Sequence, residues 1–209
     1  MSSLITAGDA TNGVSLTAGS NGVLTLQSGL AGNKVNALVL AADGTPTWLR
    51  PPITLGTVQN TTSGTSIDFT GIPAGVRRVT VMFNGVSTNG TSDAIVQIGP
   101  VGGVETTGYV GSSFTLIPPS TVGSANPTAG FILGYQNTAS TAYGSMVFNL
   151  IDSATNTWVS NVSTAVDSNV FILGAGRKAL AGALSRLRLT TIGGVNTFDA
   201  GSVNIMWEF

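Results

Sequence analysis

Nine carboxylates, eight cations and no histidine or cysteine make up the charged side-chain chemistry of this 209-residue chain. Glycosidic hydrolysis needs two carboxylates facing each other across a cleft. Such a pair would have to come from Asp9, Asp43, Asp68, Asp93, Glu105, Asp152, Asp167, Asp199 and Glu208, and no two of them fall in a recognisable paired spacing. Asp43, Asp93 and Asp152 stand among Gly, Ser or Asn, where an Asp side chain serves its own turn. Asp68 and Asp199 each adjoin a Phe near a predicted strand end. They are read as ion-pair partners for Arg77, Arg186 or Arg188, because an arginine in a nearly charge-free domain needs a counter-charge. Without His and Cys there is no Ser-His-Asp triad, Cys-His dyad, disulfide, or imidazole or thiolate metal site. The expectation is a protein that is not an enzyme, with no catalytic, cofactor-binding or metal-ligating residue and no cofactor.

Other residues offer binding rather than reaction. Trp158, Trp207, Tyr109, Tyr135 and Tyr143 could stack on sugar rings, but aromatic residues at strand positions are expected in the core. Arg186 and Arg188 alternate with Leu187 and Leu189, so both cations share one strand face. That face is either simply exposed or a patch directed at another subunit, and the spacing leaves both readings open. Gly102-Gly103 lacks the lysine and following helix of a phosphate loop. The sequons at Asn60, Asn89 and Asn161 carry little weight without a secretion signal.

The elements that must position these residues follow from composition. Charged residues are 8% of the chain, where about 25% is usual. Ser, Thr and Asn, at 21, 28 and 15 copies, take the places that charges would normally hold. A net charge of -1 and scattered cations, apart from Arg77-Arg78 and Arg186/Arg188, predict no nucleic-acid partner. The first basic residue is Lys34 and the longest apolar run covers only residues 37–42, which predicts neither a signal peptide nor membrane insertion. With 42% hydrophobic residues the chain folds, and its 28 glycines are read as turns between many short strands.

Residues 1–52 carry small residues, no aromatic before Trp48, and a repeated Asn-Gly-Val at Asn12 and Asn21. They are read as an extended, strand-forming N-terminal arm whose apolar side chains are too few to close a core alone. Arg50-Pro51-Pro52 is a stiff spacer, and the boundary is placed there. Beyond it, ten strands are predicted over residues 53–58, 66–69, 77–84, 94–99, 131–136, 144–151, 157–162, 169–173, 185–192 and 202–207. Val79, Val81 and Phe83 alternate with Arg78, Thr80 and Met82, the period of an antiparallel strand with one buried face. Residues 175–184 form the only helix candidate, weakened by two glycines and the lack of a cap. Residues 99–129, with four prolines, are read as a long irregular stretch and the contact loop. The fold expected is all-β: an antiparallel, jelly-roll-like β-sandwich over 53–209 with the arm at 1–52.

The opening MSSLITAGDATNGVSLTAGSNGVLTLQSG, followed by NALVLAADGTPTW, resembles the N-terminal segment of short tail-fibre and other structural proteins of tailed bacteriophages. SIDFTGIPAGVRRVTVMFNGVS, IVQIG with GGVETTGY, and TFDAGSVNIMWE resemble the β domain of such proteins. The resemblance spans nearly the whole chain, and its motifs are structural, so it transfers no catalytic residue. It implies a virion protein assembled in the host cytoplasm and built as a homo-oligomer, by analogy a homotrimer. Its partners would be itself, other tail or capsid proteins, and, for a receptor-recognition appendage, a host-surface glycan. The chain lacks the long repetitive shaft of a receptor-binding fibre, which raises adaptor and capsid-decoration roles beside that of a tail fibre.

Overall fold

The computed structural model describes residues 4–8, 13–18, 23–28, 35–41, 43, 46–48, 53–117, 120–125, 128–134, 138, 140–167 and 169–209. The chain divides into two compact units, Met1–Pro52 and Ile53–Phe209. In the first, β1 (Leu4–Gly8), β2 (Gly13–Ala18), β3 (Leu24–Ser28), β4 (Val35–Leu40) and β5 (Pro46–Trp48) form an antiparallel meander in chain order. Asn21-Gly22 falls between β2 and β3 but outside the described residues.

The second unit is an antiparallel β-sandwich. Its smaller sheet has four strands in the order β13-β10-β17-β8: β8 is Ser66–Thr70, β10 Ala94–Gly99, β13 Phe131–Gly134 and β17 Arg186–Thr191. The larger, nine-stranded sheet runs β12-β11-β16-β15-β14-β9-β18-β6, with β7 (Gln59–Asn60) also on β18. Here β6 is Ile53–Leu55, β9 Arg78–Thr88, β11 Val110–Ile117, β12 Ser120–Ala125, β14 Ala142–Asp152, β15 Thr157–Val166, β16 Val170–Ala179 and β18 Phe198–Glu208. A 3-10 turn at Ile192–Gly194 joins the last two strands in sequence. Among the described residues no helix is long and apolar enough to cross a membrane.

Alternation makes the core. Val79, Val81 and Phe83 of β9 are buried with Met146 and Phe148 of β14, Trp158 and Val162 of β15, and Val203 and Ile205 of β18. Ile67, Phe69, Leu187 and Leu189 of the smaller sheet join the same cluster. Each such side chain contributes roughly 1.5–3 kcal/mol on leaving water. Phe131 links the layers, edge-on to Tyr109 at 4.9 Å and tilted against Phe148 at 5.3 Å. Threonine hydroxyls satisfy interior carbonyls: Thr61 Oγ1 donates to Ala200 O at 2.6 Å and Thr164 Oγ1 to Leu133 O at 2.9 Å.

Three expectations change. Residues 99–129 are not irregular throughout, since β11 and β12 lie within them. Residues 175–184 are no helix: the segment opens as the end of β16, where residues up to Ala179 pair with β15 and those up to Arg177 also with β11. Gly176 there leaves room for Phe131, whose ring would stand 3.0 Å from an added Cβ. Finally, β9 and β18 run longer than predicted, because Gly85 (φ +66) and Gly201 (φ +91) form bulges that continue the ladder through apparent turns.

Candidate functional site

Most of the described acids have a structural partner. Arg188 donates Nε and Nη2 to the two oxygens of Asp68 at 2.8 and 2.9 Å, so of the three arginines considered it is Arg188 that pairs with Asp68. That forked contact holds the Arg188 guanidinium above its ordinary pKa. Arg186 lies beside it on β17 and donates Nη2 to Val101 O, while Leu187 and Leu189 are fully buried on the opposite face. Glu208 meets Arg78 at 3.6 Å. Asp199 is exposed and makes no ion pair among the described residues.

Asp152 accepts from Thr155 Oγ1 at 2.7 Å and Ala154 N at 2.9 Å, and these bonds hold its carboxyl below the usual range. Asp167, at φ 53°, accepts from Thr141 N at 2.9 Å and is lowered likewise. Asp43 and Asp93 both have partners. Asp9 and Tyr135 lie outside the described residues. Among the described residues no three acids cluster as a metal site would require.

Glu105 belongs to a lock. Its carboxylate meets the buried Lys178 ammonium and accepts from Ala181 N at 2.8 Å. Burial opposes its ionisation, but these two bonds and the lysine charge prevail and hold the group below its ordinary value. Lys178 also lies 5.5 Å over the Tyr109 ring, a cation-π contact. The Tyr109 hydroxyl donates to Glu105 O at 2.8 Å and accepts from Ile98 N at 2.8 Å, and burial pushes its pKa up. This cluster ties residues 98–109 to β16. Gly102-Gly103 forms part of a turn in this segment, with Gly103 N donating to Pro100 O at 3.2 Å.

The aromatic candidates separate. Tyr109 and Trp158 are core, Trp207 is half-buried, and Tyr143 is exposed on the outer face of the larger sheet. Of the sequon residues, Asn60 lies in β7, the Asn89 side chain accepts from Thr197 N at 2.9 Å, and Asn161 projects from that same outer face.

That face is the surface which sequence reasoning missed. Strand register lays its side chains out in four rows across β11, β16, β15, β14, β9 and β18. The first row is Val110, Arg177, Val159, Asn149, Arg78 and Glu208. The second is Ser112, Ala175, Asn161, Val147, Thr80 and Met206. The third is Phe114, Leu173, Ser163, Ser145, Met82 and Asn204, and the fourth Leu116, Phe171, Ala165, Tyr143, Asn84 and Ser202. The three charges within these rows all stand in the first. The other three rows of six are charge-free.

Within the charge-free rows lies a shallow concavity of about 530 Å³, bordered by Ser112, Phe114, Ser145, Asn161 and Leu173. On β11, Val110, Phe114 and Leu116 point outward with Ser112, while Gly111, Ser113, Thr115 and Ile117 point into the sandwich. Period two was present there, but three of the four residues on the buried face are small or polar. Comparison with protein-family models, curated proteins and solved structures gives no match for this chain.

Proposed function

We propose that this chain is a structural protein of a tailed-bacteriophage virion, a tail fibre or tail-associated adaptor, acting by oligomeric assembly rather than by chemistry. The observation that carries this reading is the outer face of the nine-stranded sheet, whose three charge-free rows resemble the core of an association surface, depleted in charge and enriched in Phe, Tyr and Met. In this reading residues 1–52 attach the protein to the particle and the sandwich supplies the assembling body. The virion context comes from the sequence resemblance, as does the three-fold order it suggests. The test is mass spectrometry of purified particles, counting copies against the capsid protein. Tens of copies support a tail location, hundreds would move the protein to the shell as a decoration protein, and absence from the particle would overturn the proposal.

A second reading has its own observation. The concavity presents the hydroxyls of Ser112, Ser145 and Ser163 and the amide of Asn161 between apolar walls, chemistry suited to a neutral glycan. Glycan-array binding lost in an Asn161→Ala variant would favour this appendage role.

A further inference from the structure

The assembly proposed above leaves open what residues 1–52 do besides attach. We infer that their five-stranded sheet closes against the same sheet in two further copies of this chain, apolar faces inward. Strand register divides the sheet into two unlike faces. Ile5, Leu16, Leu26, Leu38 and Trp48 stand opposite one another in one row across β1 to β5. Ala18, Leu24, Leu40 and Pro46 form the neighbouring row of that face. The rows of the other face are Leu4, Thr17, Thr25, Val39 and Thr47, and then Thr6, Ser15, Gln27 and Asn36. All nine residues of the first pair of rows are apolar, while seven of the nine in the second pair are Thr, Ser, Gln or Asn. A sheet patterned in this way needs a second layer over its apolar side. Among the described residues, all strands of the first unit lie in this one sheet.

Three features select other copies of this sheet as that layer. The first is charge. The four charged residues of the segment, Asp9, Lys34, Asp43 and Arg50, all fall outside the strands, so sheet meets sheet with no charge to desolvate. The second is area. The strands β1 to β5 average five residues, so at about 4.8 Å between strands and about 3.4 Å per residue the face measures roughly 24 by 17 Å, about 400 Å². Two stacked sheets would bury about 800 Å² in all, the level of a non-specific contact, whereas three closed around an axis bury about 1,200 Å², where specific interfaces begin. The third is shape. Three walls about 24 Å wide form a prism whose walls stand about 7 Å from its axis, further than the half-spacing of about 5 Å in a two-sheet stack. The middle of each wall must then be filled by large residues, and on β2, β3 and β4 five of the six residues in the two apolar rows are leucine.

The inference rests on the self-assembly reading, and the two can fail separately. Sedimentation of the full-length chain is compared with Leu26→Glu and Leu38→Thr, both on the apolar face. The control is Thr25→Glu, one residue away on the same strand but on the other face. The expected wild-type mass is three chains or a multiple of three. Leu26→Glu should bring it toward the 21.1 kDa of one chain. Leu38→Thr, which keeps a β-forming residue, should weaken association about tenfold, and Thr25→Glu should leave it unaltered. An assembled wild type whose mass survives both apolar-face variants, or falls as far with Thr25→Glu as with Leu26→Glu, overturns this face as the contact but leaves self-assembly standing. A two-chain mass overturns the closure of three. A wild type that stays at one chain across a tenfold concentration range overturns self-assembly as well.

Discussion

Lys178, buried on the inner face of β16, holds the carboxylate of Glu105 across 73 residues of chain, and the contact fixes the segment that leads into β11. Its two ends are unequally exposed, the lysine side chain at 8% and the glutamate at 24%. Removing the acid leaves an uncompensated ammonium in the interior, whereas removing the lysine leaves a carboxylate that water and Ala181 N can still serve. Glu105→Gln should therefore cost about 3 kcal/mol and Lys178→Met about half that, read from urea denaturation midpoints. Equal costs, or a larger cost for the lysine variant, would contradict this asymmetry.

The same acid sets part of the pH response. Glu105, Asp152 and Asp167 are all held below their ordinary values of 4.5, 3.8 and 3.8. A carboxyl depressed in the folded state contributes stability that is present above its unfolded pKa and lost as pH falls through its folded pKa. Stability should hold between about pH 7 and 5 and decline below about 4.5. Glu105→Gln should flatten that decline, so urea midpoints taken at intervals down to pH 3 should fall less in the variant than in the wild type.

Gly201 tests the bulge between β9 and β18. At φ +91°, an added Cβ would lie 2.2 Å from Gly85 O, so both the backbone conformation and the contact refuse a side chain. Gly201→Ala should lose about 2 kcal/mol or more. Gly102→Ala, with nothing within 4 Å of an added Cβ, should melt within a degree or two of wild type.

What could be read from the sequence was decided by where the apolar side chains point. β10 was placed at its observed bounds and the Val79, Val81, Phe83 face was identified, because there large residues face inward and turn residues bracket the run. β11 and β12 were missed for the opposite reason. Three of the four inward residues of β11, Gly111, Ser113 and Thr115, are small or polar, and Pro118-Pro119 between the two strands gave the stretch the appearance of a loop. Asn84-Gly85 and Ala200-Gly201 likewise passed for turns. Asp68 was identified as an ion-pair acid and Arg188 was among its possible partners. The Glu105–Lys178 pair was not foreseen, since nothing local marks an ion pair between residues this far apart. The outer face escaped notice because it exists only in the register of six strands, with none of its rows contiguous in the chain.

Truncation addresses the division at Pro52. Among the described residues, the sandwich core is built from residues after Pro52. A chain of residues 53–209 should melt in one cooperative transition close to that of the full-length protein. A broad or absent transition would show that the first unit is needed to complete the second.

The central claim is that this protein works by assembling, and the mass of the full-length chain in solution tests it most directly. Light scattering over a tenfold range at micromolar concentration should give at least twice the 21.1 kDa of one chain. A mass that stays at 21.1 kDa across that range would contradict it.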